Sequence, residues 1–248
     1  MSSSTSSLAK MLALLDAFSE ERYVWTVEAM AAKFGYTQSS TYRYVRELCK
    51  SGLLVRLHSG EYVIGARAVE LDSLIKETDP LTKACTPVLK RFTRLLGCHA
   101  LLSNVYGDHL ITVAHIQSDE QFDLAFIRGR RLPWFRGATS RAIVAFLPRK
   151  RVRKLFDDHY EMERNKENWK RVLTELKLVA DQGYSISDGE LQKGVGGIGA
   201  PVIVEGQVMG SVTLVFSSQH GGLIDRHAVG RFLVTGCEEC VSNLERAG

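Results

Sequence analysis

Ser39, Tyr42, Arg43, Arg46 and Lys50 recur at a spacing that keeps them on one face of a helix, a stripe of hydroxyls and cations with no acid among them. Hydroxyls and guanidinium groups set out this way can hold phosphate oxygens and donate to base edges, so the chemistry they suggest is recognition of duplex DNA. Thr37, Gln38 and Ser40 add donors at the start of the same segment, and His58 and Ser59 sit in a turn further on. A solvated cationic face is the alternative account of such a stripe. The surrounding elements decide between the two.

Thr26 can cap a helix whose apolar face is Val27, Met30, Ala31 and Phe34, and Gly35 stops it. Thr37 caps the next helix, in which Thr41, Tyr44, Val45 and Leu48 recur at i, i+3, i+4 and i+7 and turn inward. An earlier amphipathic helix carries Leu8, Met11, Leu12, Leu15 and Phe18, after a Ser-rich start (Met1–Ser7) expected to be mobile. After Gly52, Leu53–Arg56 and Glu61–Ile64 read as short strands joined by Leu57–Gly60. Three helices, a three-residue turn containing Gly and a hairpin give residues 1–67 the outline of a winged helix-turn-helix.

The next stretch, 68–79, reads as a helical linker with Val69, Leu71, Leu74 and Ile75 at helical spacing, and Asp79-Pro80 starts another helix. Within 80–248, His99–Ser103 and His109–Ala114 flank Tyr106-Gly-Asp108 as a hairpin. Helices are expected over 139–147, 150–160 and 169–182, two strands over 198–204 and 207–216, and a closing helix over 225–246. Strands grouped at both ends with helices between predict an α+β domain on an antiparallel sheet.

Composition sets the outer bounds. With 32 Lys+Arg against 28 Asp+Glu, 45% apolar and 24% charged residues over 248 positions, the chain has the balance of a globular protein of one large or two ordinary domains. No apolar run approaches the roughly 18 residues of a spanning helix, and the start lacks the parts of a signal peptide, so the expected location is the cytoplasm, away from membranes. Five widely spaced cysteines fit reduced thiols better than a disulfide framework. Charge clusters in two places. Arg22–Arg67 holds seven basic residues against three acids, and 124–156 holds ten with no acid, including Arg149-Lys-Arg-Val-Arg-Lys154. For that second run a solvated face is the simplest account; the other is an acidic surface on a neighbouring subunit or on RNA polymerase.

Several motifs invite chemistry that their context denies. Gly194-Val-Gly-Gly-Ile-Gly199 matches G-x-G-x-x-G, but a strand follows where nucleotide binding needs a helix, and Pro201 cannot sit inside one. Cys237-Glu-Glu-Cys240 lacks the second ligand pair of a structural zinc site. His109 and His115 share a strand parity without a carboxylate partner, and Ser7-Leu-Ala-Lys10 has no accompanying motif. No nucleophile–base pair, metal or cofactor site is expected. An enzyme with a protein-interaction head is the rival reading, and the absence of a catalytic set weighs against it.

Ser7–Phe18, Thr26–Leu54 with Ser39-Ser-Thr-Tyr-Arg43, and Gly60-Glu-Tyr-Val-Ile-Gly65 resemble the amino-terminal domain of the IclR family of bacterial transcription regulators. The likeness continues through Gly129-Arg-Arg-Leu-Pro133, Ala145-Phe-Leu-Pro148, Gly183-Tyr184, Gly199-Ala-Pro-Val202 and Gly206-Gln-Val-Met-Gly210, covering about 8–245 in order. The resemblance implies a GAF-like effector domain, operator binding as a homodimer or homotetramer, and regulons that often concern catabolism of aromatic or small organic acids. It places pocket residues at Ala138, Thr139, Ser187, Val195, Gly197, Thr213 and Val215. The sequence departs from the family pattern with Ser140-Arg141 for a common Gly-Lys pair, with an acid at Asp188 instead of near 187, and with Gly197 for a frequent Cys. A hydroxyl at Thr139 and backbone N–H groups at a helix start suit a carboxylate. With Trp134 as an aromatic wall and Arg136 as a cation, the expected ligand is a small organic acid, aromatic ones included, held between the helix start and Thr213. Alternatively Trp134 and Phe135 are core, and Arg136 is solvated.

Overall fold

The structure is a computed structural model that describes residues 6–118 and 124–247. The first part of the Ser-rich start expected to be mobile, residues 1–5, lies outside the described residues. The chain forms two compact units, Met1–Thr78 and Asp79–Gly248.

In the first unit, α1 (Ser7–Ala13) passes into a 3-10 turn at Leu14–Ala17, followed by α2 (Val27–Phe34), α3 (Gln38–Lys50), β1 (Leu54–Arg56), β2 (Tyr62–Ile64) and α4 (Arg67–Thr78). Both expected caps form: Thr26 accepts from Ala29 N–H and Thr37 from Ser40 N–H. Gly35 closes α2 at φ 67°, a left-handed conformation in which a side chain would be strained. Thr41, Tyr44, Val45 and Leu48 are buried with Leu14, Trp25, Met30, Leu54 and Tyr62. Of the expected stripe of the first helix, Met11, Leu15 and Phe18 pack against this core, while Leu8 and Leu12 do not. The 3-10 turn that follows buries Leu14 and Ala17, and Leu8 and Leu12 are 68% and 53% exposed.

The second unit begins with α5 (Pro80–Leu96), which Asp79 caps at the Thr82 N–H and which contains Pro87 in its interior. It continues with β3 (His99–Tyr106), β4 (His109–Ile116), β5 (Arg131–Leu132), α6 (Ala138–Val144), α7 (Arg149–His159), α8 (Lys166–Gln182), β6 (Ser185–Asp188), β7 (Val195–Val204), β8 (Gln207–Ser217), α9 (Ser218–Gly221) and α10 (Arg226–Ala247). The strands form one antiparallel sheet in the order β5-β4-β3-β8-β7-β6. The fold is therefore α+β, as expected, with β5 and β6 as two edge strands beyond those the sequence pattern predicts.

Alternation along the central strands assigns the two faces. Ala100 and Leu102 on β3 and Val212, Leu214 and Phe216 on β8 point to one side, where they pack with Val88, Leu89 and Phe92 of α5 and Leu233 of α10. The intervening Leu101, Thr213 and Val215 turn to the side where α6 lies. Beyond α6 a second core joins Ile143, Val152, Phe156, Val172 and Leu176. Gly199 lets α6 approach the sheet, since a Cβ there would stand 2.9 Å from the backbone of Ala138.

Candidate functional site

The reading surface is built on α3. Gln38, Ser39, Tyr42, Arg43, Arg46 and Lys50 are exposed on it, while Ser40 is half-buried. Thr37 and Ser40 have structural tasks: the Thr37 hydroxyl donates to Ser40 Oγ over 3.0 Å, and Thr37 Oγ1 takes the Ser40 N–H over 3.3 Å. The Arg43 guanidinium lies 5.4 Å from the centre of the Tyr44 ring. An acid missing from the sequence stripe does reach it. The Glu47 carboxylate is 3.0 Å from Lys50 Nζ and 3.5 Å from Arg46 Nε, and the Lys50 hydrogen bond holds it below the ordinary carboxylate range. These exposed pairs are worth little, so phosphates can take their place.

The wing pairs Leu54 with Ile64, Val55 with Val63 and Arg56 with Tyr62. Trp25 forms a bridge to Tyr62, which fixes the hairpin to the helices. His58 and Ser59 are exposed in the connecting loop, with Ser59 Oγ donating to Glu61 at 2.8 Å.

In the second unit a cavity of about 40 Å³ lies between the sheet, the start of α6 and the loop after β6. It brings together Ala138, Thr139, Ser187, Val195, Gly197, Thr213 and Val215. Leu101, Leu124, Phe126, Leu132 and Leu191 make up much of the apolar lining, which sequence reasoning missed because these residues come from separate segments that only the fold brings together. Thr139 and Thr213 are buried, with their hydroxyls 2.8 Å apart. Gly197 leaves the space open: a Cβ would stand 3.2 Å from Ser187 Oγ and 3.5 Å from Ala138 Cβ.

Trp134 and Arg136 are not part of this cavity, which corrects the expected aromatic wall and cation. Trp134 is 4% exposed in the core under α7, its indole N–H donating to the Asp108 carbonyl at 3.2 Å. Arg136 pairs with Glu161 at 2.7 Å and donates to the Glu190 carbonyl. The helix start is also not vacant. Gly137 N–H donates to Glu190 Oε2 at 2.9 Å, and Ala138 N–H donates to Ser187 Oγ at 3.1 Å. Arg141 binds both Glu190 oxygens at 2.7 Å and donates to the Ile186 carbonyl at 2.8 Å. Burial pushes the Glu190 carboxyl up; hydrogen bonds from Arg141 and Gly137 and the charges of Arg141 and Arg136 outweigh it and hold it low. Asp188 instead faces Arg226 at 3.1 Å and Ser218 at 3.4 Å.

His115 pairs with His99 and not with His109: His99 Nδ1 and His115 Nε2 are 2.9 Å apart across β3 and β4. Burial, and then the charge of His99, push His115 below its ordinary value of 6.5. The unfolded chain therefore binds this proton at a pH where the native chain does not, and stability falls as pH drops below about 6.5. Thermal unfolding followed between pH 7.5 and 5.5 is expected to show a falling Tm, with the slope reduced in His115→Gln; an unchanged slope would remove this pair as the cause.

Cys85, Cys237 and Cys240 are buried in the core between α5 and α10. A hydrogen bond with Cys240 and burial push the Cys85 thiol up, and burial does the same to Cys237, so both are protonated small apolar groups there. Gly194–Gly199 is, from Val195 on, part of β7, paired with β6 and β8, and so does not form a phosphate loop. On α7, Arg153 pairs with Asp157 at 2.8 Å, Lys154 with Asp108 at 3.3 Å, and Arg151 donates to the Gly107 carbonyl at 2.8 Å.

A winged helix-turn-helix unit in one chain with an antiparallel-sheet unit that encloses a small cavity defines a DNA-binding regulator with an effector domain. The chain belongs to the IclR family: residues 74–222 match the family described as "Bacterial transcriptional regulator IclR C-terminal", and residues 7–58 match "IclR helix-turn-helix domain". It is 26% identical over 205 residues to the HTH-type transcriptional regulator KipR of Bacillus subtilis, covering 82% of each chain. It is 23% identical over 227 residues to the Pca regulon regulatory protein of Pseudomonas putida, covering 89% of this chain and 76% of that one. The crystal structure of an IclR homolog complexed with 4-hydroxybenzoate from Microbacterium hydrocarbonoxydans has the same fold, with a TM-score of 0.78 at 19% identity over 98% of this chain and 100% of that one. The chain is a transcription regulator and not an enzyme.

Proposed function

We propose that the chain binds an operator as a dimer, or as a tetramer built from dimers, and that a small organic molecule in the cavity of the second unit changes how the operator is held. The observation that carries this reading is the exposed Ser39/Tyr42/Arg43/Arg46 face of α3 beside a wing, in a unit separate from the one that holds the cavity. One recognition helix reads few base pairs, and symmetric half-sites are the usual remedy. In this reading residues 1–67 are the DNA head, 68–79 a helical linker and 80–248 the effector domain, acting in the cytoplasm where the operator is. The effector acts by binding one subunit arrangement better than another.

A catabolic operon is the favoured target. The Pca regulon named for one relative and the 4-hydroxybenzoate in one similar structure support a small organic effector. Among the described residues no cation lines the cavity; Arg136 and Arg141 both lie outside it. On α7, the pairs of Arg153 and Lys154 with Asp157 and Asp108 favour a solvated face over a contact with RNA polymerase.

Genomic fragments retained by the immobilised full chain, followed by footprinting, test the proposal. Protection of two symmetric half-sites about one helical turn apart, or a multiple of it, is expected. Retention without sequence preference would refute operator recognition.

A further inference from the structure

We propose that the second unit carries a further small-molecule site, distinct from the cavity between the sheet and α6, which takes a zwitterion with an apolar side chain, a free α-amino acid. The site is a hollow of about 290 Å³ bounded by residues 133–136, the end of α7, one face of α8 and Glu190. Small-ligand pockets run from about 300 Å³ upward, and this hollow reaches that scale. Trp134, Tyr160 and Val172 are buried and Phe135 is half-buried, so the floor is apolar and largely aromatic. Around it stand Arg136, Arg141 and Arg171 against Glu161, Glu175 and Glu190, with His159 at the rim.

That balance decides the class of ligand. A simple carboxylate would gain an arginine only by driving off the glutamate that holds it, and a simple amine would meet the converse. A zwitterion set between the members of a pair gives each of them a partner. One ion contact becomes two, while the aromatic floor covers the side chain.

One of the three pairs is open to such insertion. Arg136 meets Glu161, and Arg141 meets Glu190, at 2.7 Å, whereas Arg171 Nε and Glu175 Oε1 are 3.9 Å apart and both side chains are half-exposed. Arg171 is nonetheless held in place. Its Nη2 donates to Tyr160 Oη at 2.8 Å and lies 3.8 Å from Met162 Sδ, which leaves donors on Nε and Nη1 for a ligand carboxylate. Tyr160 keeps its own proton to add to them. Glu175, one turn further along α8, then receives the ammonium.

The hollow and the cavity share a loop. Glu190 lines the first, while Leu191 and Gln192 line the second, where Gln192 Oε1 accepts the Ala125 N–H at 2.8 Å between Leu124 and Phe126. Glu190 is itself tied to Arg141 and to the Gly137 N–H. A ligand that draws on Arg141 or Glu190 therefore acts on the lining of the cavity, and the two occupancies are linked.

The test is calorimetric titration of the full chain at pH 7.5 with L-phenylalanine and L-leucine. Each is compared with its N-acetyl derivative, which lacks the ammonium, and with its amide, which lacks the carboxylate. At least one free amino acid is expected to bind about tenfold or more tightly than both of its derivatives; failure of both amino acids to do so overturns the inference. Arg171→Gln, at an exposed position, is expected to weaken that binding about tenfold or more, and a smaller loss overturns the site. If Arg171→Gln melts well below wild type, Glu175→Gln, which leaves Tyr160 untouched, is held to the same loss. These arms do not depend on what occupies the cavity. Binding abolished in Gly197→Val, which fills the cavity, but kept in Arg171→Gln would place the amino acid in the cavity and overturn the second site. Hydrogen exchange over residues 189–195 is expected to slow in the bound wild type; exchange equal to that of the free chain overturns the link between the two sites.

Discussion

Replacement of both Arg43 and Arg46 by Ala is expected to weaken binding to the selected operator at least a hundredfold, while leaving the fold and the ligand response in place. Both side chains are exposed and neither belongs to the buried set of α3, which is Thr41, Tyr44, Val45 and Leu48. Truncation should therefore cost little stability. On DNA the same groups are worth far more. A bidentate Arg–guanine pair discriminates by about 1–3 kcal/mol, and a dimer loses four guanidinium groups. Salt dependence separates the two roles an arginine can take. Removing an arginine that touches a phosphate lowers the slope of log K against log salt by about one, whereas removing one that reads a base lowers specificity at a single position. Fluorescence anisotropy at several salt concentrations reads both. Wild-type affinity in the double variant would move the reading surface away from α3.

The parts of this chain legible in the sequence are those whose cause is local. Thr26, Thr37 and Asp79 cap helices with their own side chains, and the inward stripe Thr41/Tyr44/Val45/Leu48 follows from helical period alone. Tyr106-Gly-Asp108 likewise announces its hairpin. What escaped depends on interactions between distant segments. Glu190 meets Arg141 across 49 positions of chain, and no spacing rule connects them. Trp134 and Arg136 precede the helix start in sequence, which points them at the ligand, yet the chain turns there and carries both to the other side of α6. β5 is two residues long, too short for alternation to show. The His99–His115 pair is hidden by a β-bulge between Leu102 and Ser103, without which the hairpin register would set Ala100 opposite His115. With the bulge, Leu101 lies opposite His115, which puts His99 on its diagonal. Seven carried-over positions do converge on one cavity, but convergence fixes a location and not a ligand.

A double variant, Leu12→Glu with Leu74→Glu, is expected to be monomeric and to lose operator affinity by a factor of about 10² to 10⁴. The exposed leucines motivate it. Leu8 and Leu12 on α1, and Val69, Leu74 and Ile75 on α4, are between 47% and 71% exposed, and none of the residues of α4 is buried. An apolar helix face exposed in its own unit calls for a partner, and a second copy satisfies the symmetry of an operator. Charge at two such positions costs the monomer little, because these side chains are largely in water already. In a dimer it would bury carboxylates against apolar surface without a cation. The loss on DNA follows from linkage: once one head is bound, the second meets its half-site at high effective concentration, an advantage that vanishes when the subunits part. Sedimentation velocity at micromolar protein, with anisotropy on the full operator and on a single half-site, distinguishes the outcomes. A monomer that binds the half-site as wild-type heads do, but gains nothing from the full operator, is the expected result. A variant that stays dimeric would place the interface away from α1 and α4, and the apolar face of these helices would then need a different partner.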